Sequence, residues 1–111
     1  LSACTGMLLC IAISYGGRDE ITYAVNTLIA AGKTHVTQED ISGTLYTAGI
    51  PDPDLIIRTS GEMRTSNFLL WQSAYSEYYF TEVNWPDFDA GDLAKALNSY
   101  ASRQRRFGKE K

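Results

Sequence analysis

Short apolar runs alternate with amphipathic helical patterns along this chain of 111 residues. Residues 7–14 form a continuous apolar run typical of a buried strand, and residues 55–58 form a second. Residues 77–81 also have the composition of a strand. Because strands that alternate with helices build parallel sheets covered on both faces, the sequence predicts an α/β fold with a parallel sheet between helices.

The helical patterns have recognisable ends. The strongest one places apolar residues at the spacing of one helix face: Ile21, Ala24, Val25, Leu28 and Ile29. Gly32 predicts its end. Thr37 with Asp40 predicts the start of a short helix that ends near Gly49. Asp89 predicts the cap of a last helix, whose apolar stripe is Leu93, Ala94, Leu97, Tyr100 and Ala101. Residues 68–75 fit a short buried helix or an extended segment.

Composition restricts the class of protein. With 44% hydrophobic residues, the chain suits one small globular unit or part of a larger one. Its longest apolar run, residues 7–13, is far shorter than the ~18 residues that a membrane span requires. Cys4 and Cys10 lie six positions apart, and extended chain would separate them by about 20 Å, which is too far for a disulfide. Reduced thiols predict a cytoplasmic protein.

Charge is unevenly distributed. The net charge is −3, but residues 103–111 hold five basic side chains against Glu110 alone, a net of +4, so the remainder carries −7. A basic tail suits a phosphate-bearing partner or an acidic surface on another subunit. It also suits the C-terminal end of a helix dipole. The acidic body argues against nucleic-acid binding.

The polar loop after the second strand is the main candidate site. Arg58 and Arg64 stand six residues apart, among four hydroxyl side chains and a glycine: Thr59, Ser60, Gly61, Thr65 and Ser66. Guanidinium and hydroxyl donors together suit a cluster of anionic oxygens such as a diphosphate. Arg58 is expected at the carboxyl end of a parallel strand, where ligands of such sheets bind.

Three other features each have two interpretations. Glu77 is the one carboxylate in an aromatic-rich segment, so it is either a metal ligand or partner of the arginine loop, or an edge residue that reaches water. The Gly16-Gly17-Arg18 turn either cradles a phosphate at a helix start or, as we favour, is a tight strand-to-helix turn. His35 is expected in a solvated loop, and nothing near it indicates a catalytic triad.

Four segments resemble the cis-prenyltransferases, in particular the bacterial undecaprenyl diphosphate synthase type. They are YGGRDEI at residues 15–21, IRTSGEMRTSNFLLWQSAYSE at 57–77, WPDF at 85–88 and RQRRFG at 103–108. Their order matches the family, and they cover about residues 10–108. The resemblance implies that residues 1–111 are the C-terminal portion of a single domain. The family's Met-Asp-Gly-Asn segment, from its N-terminal half, is absent, so we expect the isolated chain to be inactive.

The resemblance implies a specific reaction, in which isopentenyl diphosphate condenses with an allylic diphosphate such as farnesyl diphosphate. The product would be a long-chain cis-polyprenyl (undecaprenyl) diphosphate, the carrier lipid of peptidoglycan precursors. Positions that match the family's isopentenyl diphosphate site are Arg58, Arg64, Thr65 and Ser66. Arg106 and Gly108 match a C-terminal motif that reaches the active site across a homodimer interface. Glu77 matches a ligand of Mg²⁺, and the lipid product implies peripheral membrane contact.

Two positions depart from the family pattern. Ser14 stands where many members have Asn, and Met63 stands where some have a histidine near the metal. The rival interpretation is a non-catalytic subunit or interaction module of a prenyltransferase complex. The joint presence of Arg58, Arg64, Ser66 and Glu77 favours the enzyme.

Overall fold

The computed structural model describes residues 6–103. Its elements, in chain order, are α1 (Gly17–Ala30), α2 (Gln38–Ser42), β1 (Leu55–Arg58), β2 (Glu77–Phe80) and α3 (Ala90–Ala101). A 3₁₀ turn at Trp85–Asp87 precedes α3. The predicted helices and the second and third predicted strands are therefore present, in the predicted order.

The two strands pair in parallel, which confirms the predicted sheet type. Leu55 lies opposite Glu77 and Arg58 opposite Phe80. The ladder continues past the strand ends, where the Thr81 N–H donates to the Arg58 carbonyl at 3.0 Å. Because the strands are parallel, their carboxyl ends lie at one edge of the sheet, and the crossover of residues 59–76 begins there. That crossover contains the polar loop.

Helix ends follow the predicted capping residues. α1 ends in a Schellman-type turn, in which Lys33 N–H donates to Leu28 O at 3.0 Å. Gly32 takes the left-handed conformation (φ +91°) that this turn requires. The predicted starts of α2 and α3 are both confirmed. Each begins with a capping box, between Thr37 and Asp40 in α2 and between Asp89 and Asp92 in α3.

α2 is shorter than predicted. It ends at Ser42, capped by Gly43, and the chain continues in turns through Ile50 instead of remaining helical to Gly49. Glycine inside a helix lowers helix stability by about 1 kcal/mol relative to alanine. Continuation of the helix through Gly43 is therefore disfavoured, and α2 ends there. Leu45, in these turns, is buried.

The buried helix faces match the predicted ones only in part, since Ala24 and Leu28 of the predicted α1 face are buried. α1 buries Glu20, Ala24 and Leu28, spaced four apart, whereas Ile29 is 58% exposed. The buried face contacts α2 and residues 46 and 72. Because these partners include hydrogen-bond donors to Glu20, the buried face is rotated from the purely apolar face that the sequence predicted. In α3 the fully buried residue is Ala96, and the predicted stripe residues Leu93 and Leu97 are 42% and 51% exposed.

The predicted first strand is wrong for the described residues. Residues 7–12 have no regular secondary structure, and five of the large apolar side chains at positions 7–13 are 66–82% exposed: Met7, Leu8, Leu9, Ile11 and Ile13. A continuous apolar run becomes a buried strand only where neighbouring strands pair with it, and within residues 6–103 no strand does. In the same range, no helix has the length and apolarity needed to cross a bilayer.

Candidate anion-binding site

The polar loop is fixed at the carboxyl edge of the sheet. Arg58 is the last residue of β1, as predicted. Beyond it, the Ser60 N–H donates to Val83 O and the Gly61 N–H to Thr81 O, both at 2.9 Å. These bonds tie the start of the loop to the segment that follows β2. The backbone beneath the candidate site is therefore held by the extension of the sheet.

The loop closes over a cleft of about 220 Å³. Its lining combines polar and apolar side chains: Ile56, Ile57, Arg58, Arg64, Thr65, Phe68 and Tyr78. Ser66 joins them, since an Arg58 Nη2–H donates to its hydroxyl oxygen at 3.3 Å. The structure thus brings together the four residues that the sequence predicted for diphosphate binding.

The charge of the cleft is positive. None of its described lining residues is acidic, whereas two are arginines. Arg64 forms an ion pair with Glu62 at 3.3 Å, with side chains 76% and 45% exposed. Exposed pairs contribute at most about 1 kcal/mol, so an anionic ligand can replace Glu62 as the partner of Arg64. Met63, next to this pair, is 73% exposed.

The loop backbone is unusual. Four non-glycine residues between positions 60 and 69 have positive φ: Ser60 (63°), Ser66 (49°), Asn67 (65°) and Leu69 (47°). Such conformations cost about 1–2 kcal/mol for residues other than Gly, Asn and Asp, and persist where surrounding contacts hold them. Residues 68–75 then form successive turns, neither the helix nor the extended segment considered above.

Glu77 lies at the other end of the strands. It pairs with Leu55, the first residue of β1, and three residues of strand, about 10 Å, separate that level from Arg58. Its carboxylate accepts from Arg103 Nη1 at 3.3 Å. Arg103 also donates to the Tyr78 carbonyl at 2.5 Å. The structure therefore places Glu77 in an ion pair with the end of α3, apart from the arginine loop.

The described residues do not by themselves make a metal centre. Within them, no group of three or more His, Cys, Asp or Glu side chains converges on one point. Glu77 is a chemically suitable ligand for a hard cation such as Mg²⁺, but it is one carboxylate and already has a cationic partner.

A buried polar network, which the sequence did not predict, lies behind the loop. Glu20 is fully buried, and its carboxylate accepts from Tyr15 Oη–H, from Gln72 Nε2 at 3.0 Å and from the Tyr46 N–H at 2.9 Å. Gln72 also donates to Thr47 Oγ1 at 3.1 Å. The signal that could have found it is the spacing of Glu20 with Ala24 and Leu28 on one helix face.

The network changes the chemistry of one phenol. Burial, the hydrogen bond to Glu20 and the negative charge of Glu20 together raise the pKa of Tyr15 to about 12. The Tyr15 ring meets Phe68 edge to face, with centroids 5.6 Å apart. Tyr15 and Gln72 also line a second, larger groove of about 690 Å³, and Phe68 contributes to both the groove and the cleft.

The remaining candidate residues are either exposed or outside the described residues. His35 is exposed in a bend before α2, as predicted. Cys10 is a free, exposed thiol, and Cys4 lies outside the described residues. Arg106 and Gly108 also lie outside them, so their predicted role across a dimer interface stays a prediction.

Sequence comparison gives the relatives of this chain. The prenyltransferase family model, which describes undecaprenyl diphosphate synthase, matches residues 2–108. An isoprenyl transferase of Chromobacterium violaceum is 56% identical over 104 residues, which are 94% of this chain and 41% of that protein. An isoprenyl transferase of Fusobacterium nucleatum is 61% identical over 98 residues, 88% of this chain and 42% of that protein. The chain thus spans less than half the length of these relatives.

Solved structures show the same fold. Lavandulyl diphosphate synthase from Lavandula x intermedia, crystallised with dimethylallyl diphosphate, superposes with a TM-score of 0.87 at 39% identity, over 97% of this chain and 49% of that one. A probable undecaprenyl diphosphate synthase from Campylobacter jejuni gives a TM-score of 0.77 at 36% identity, over 87% and 45% of the two chains. These similarities confirm the predicted fold class, and the chain belongs to the undecaprenyl diphosphate synthase family of cis-prenyltransferases.

Proposed function

We propose that this chain supplies the isopentenyl diphosphate site of a cis-prenyltransferase. In that enzyme, isopentenyl diphosphate condenses with farnesyl or another allylic diphosphate to give long-chain cis-polyprenyl (undecaprenyl) diphosphate. The observation that carries the proposal is the single cleft that Arg58, Arg64 and Thr65 share, with Ser66 hydrogen-bonded to Arg58. The family membership described above supports the same reaction class.

The lining of the cleft suits an amphiphile with a small apolar part. Two guanidinium groups and two hydroxyls offer donors to diphosphate oxygens, in charge-assisted bonds on the arginine side. Ile56, Ile57 and Phe68 supply apolar walls beside them. A volume of about 220 Å³ admits a small ligand rather than a long hydrocarbon chain. A five-carbon isopentenyl group fits this combination.

The residues of the cleft would act by binding and orientation. Arg58 and Arg64 neutralise the diphosphate, and the hydroxyls of Thr65 and Ser66 fix its rotation. Because the diphosphate is held, the isopentenyl group has a defined direction. The entropy cost of bringing the two substrates together is therefore met when they bind and does not add to the barrier of the reaction. The apolar walls keep water away from the reacting carbons. No acid, base or nucleophile of the described residues is needed for this role.

Magnesium enters as a separate proposal. When bound, it would neutralise diphosphate charge and assist departure of the leaving group. We propose Glu77 as one ligand, completed by groups beyond those described, and this requires that Arg103 release the carboxylate. Arg106 and Gly108 we propose as contributors to the site across a homodimer. We further propose a cytoplasmic enzyme that touches membranes through its lipid product, and no turnover by the 111 residues alone.

Calorimetric titration of the chain with isopentenyl diphosphate tests the main proposal. Loss of a charge-assisted pair costs about 1.5–3 kcal/mol, so Arg64→Ala should bind ten- to a hundredfold more weakly. Arg64→Lys should recover only part, because an ammonium cannot reproduce the bidentate fork. Lys95→Ala, which removes an exposed cation of α3 outside the cleft lining, is the matched control.

The outcome that contradicts the proposal is also defined. If Arg64→Ala and Lys95→Ala weaken binding equally, the attraction is a general charge effect and the cleft is not the site. If Arg64→Ala keeps its affinity but lowers the melting temperature, its partner is Glu62 and its role is structural.

A further inference from the structure

The loop that carries Ser66 is anchored to the first turn of α1. The Gly17 N–H donates to the main-chain oxygen of Asn67 at 2.6 Å, and the Arg18 N–H donates to its side-chain Oδ1 at 3.0 Å. Gly16, at the N-cap position, offers no side-chain cap. The first N–H groups of a helix have no partner within it, so here a residue 49 positions away caps α1.

The contact is close on both sides. A Cβ on Gly17 would lie 2.8 Å from Leu70 Cγ and 3.1 Å from Asn67 O. A Cβ on Gly16 would lie 2.9 Å from Asn67 Nδ2. Only glycine permits this approach, which explains the Gly-Gly pair without a phosphate. Since Asn67 already occupies the Gly17 and Arg18 N–H groups, these groups are not free for a phosphate. The strand of the predicted strand-to-helix turn, however, is not formed among the described residues.

The anchored residue determines the geometry of the cleft beside it. Ser66, Asn67 and Leu69 all have positive φ, a conformation that a free chain seldom adopts for serine or leucine. Asparagine tolerates it best, and its two acceptors hold it there. Ser66, one residue earlier, meets Arg58, and Phe68, one residue later, lines both the cleft and the larger groove.

We propose that Asn67 is a positioning residue for the diphosphate site. Its two hydrogen bonds to α1 hold Ser66 at Arg58 and hold Phe68 as the wall between the cleft and the groove. The Gly16-Gly17 turn is the receiving half of the same contact. This inference rests on the proposed function, because it assigns Asn67 to the site that would bind isopentenyl diphosphate.

A double-mutant cycle on this chain tests the inference. Asn67→Ala removes the side-chain acceptor and disfavours positive φ, and Gly17→Ala separates the same contact from the other side. Each should weaken isopentenyl diphosphate binding about five- to tenfold. Because both break one contact, the double variant should bind no more weakly than the worse single variant. Asn26→Ala, an exposed asparagine of α1, and Gly6→Ala, where a Cβ meets nothing within 4 Å, are the controls.

Hydrogen exchange adds a readout that follows the anchor itself. In Asn67→Ala, the Gly17 and Arg18 amides should exchange faster while the middle of α1 stays protected. If the alanine variants unfold, Asn67→Gly decides the question, since it keeps the left-handed backbone and removes only the side chain. Asn67→Gly should bind more weakly than wild type and show faster exchange at the Arg18 amide, which donates to the Asn67 side chain.

The results separate this inference from the proposed function. If the wild-type chain binds isopentenyl diphosphate, and Arg58→Ala abolishes binding while the Asn67 variants bind normally, the inference is wrong and the proposed site stands. If effects in the cycle simply add, Asn67 and Gly17 act independently and the anchor is refuted. If the wild-type chain binds no diphosphate, the proposed function fails first, and the positioning role fails with it.

Discussion

Replacement of Glu20 by alanine removes one acceptor on which donors from three separate segments converge. Tyr15, the Tyr46 main chain and Gln72 all donate to its carboxylate, which is fully buried and has no cationic partner among the described residues. A hydrogen bond to a charged group contributes about 1.5–3 kcal/mol when its partner would be left unsatisfied. Three such bonds give an upper bound of roughly 4.5–9 kcal/mol.

The net cost is smaller than this bound. Removing Glu20 also removes the several kcal/mol that burial of a carboxylate costs. Gln72 retains Thr47 as an acceptor, and the half-buried Tyr15 phenol can turn to water. We therefore expect Glu20→Ala to lower the free energy of unfolding by about 2–4 kcal/mol, which at this chain length is roughly 10–25 °C in melting temperature. Glu20→Gln, which keeps one carbonyl oxygen, should cost about 1–2 kcal/mol.

Urea unfolding followed by circular dichroism measures these differences. The matched control is Asp19→Ala, since Asp19 is an exposed acid in the same first turn of α1 and shares any interaction with the helix dipole. That interaction amounts to about 0.3–1 kcal/mol. If Glu20→Ala and Asp19→Ala cost the same, Glu20 acts through the dipole alone and the network does not stabilise the fold.

Three further outcomes are expected. Because the fold raises the pKa of Tyr15 to about 12, the neutral phenol stabilises the folded protein. This stabilisation is complete below the ordinary pKa of 10.0 and is lost as pH rises through about 12. Tyr15→Phe should therefore lose less stability than wild type when unfolding is measured between pH 10 and 12. Glu77→Gln should weaken magnesium-dependent binding of diphosphate, whereas Arg103→Gln, which breaks the same ion pair, should not; equal magnesium titrations would leave Glu77 as an ion-pair partner only. The Asp92 N–H holds the pKa of the Asp89 cap below its ordinary 3.8, so Asp89→Ala should lower the melting temperature at pH 7 and lose that effect in acid, with Asp87→Ala as the neutral comparison.

Local signals in the sequence predicted the local structure well. The β1 strand has the predicted bounds, and both capping boxes begin helices at the predicted residues, Thr37 and Asp89. These features depend on neighbours within four residues, so a single sequence contains them. The arginine loop was predictable for a similar reason, because its donors lie within nine residues of one another after a strand.

Features that depend on distant partners were not predictable. The run at residues 7–13 has strand composition, but burial depends on neighbouring strands that composition does not specify. The burial of Glu20 was not predicted, and Gln72 and Tyr46, 52 and 26 positions away, explain it. The ion pair of Glu77 was not predictable for the same reason, because its partner Arg103 lies far away in the sequence.

The exposed apolar run at residues 7–13 affects how this chain behaves in solution. MLLCIAI contains no charge and no proline, the two features by which proteins prevent one chain from adding its backbone to another. Segments of this length, with high strand propensity and unpaired backbone, are the usual origin of intermolecular sheets. We therefore expect a copy that leaves the run uncovered to associate with other copies as concentration rises. The amount of dispersed chain is then limited by how well these residues are covered, independently of the cleft.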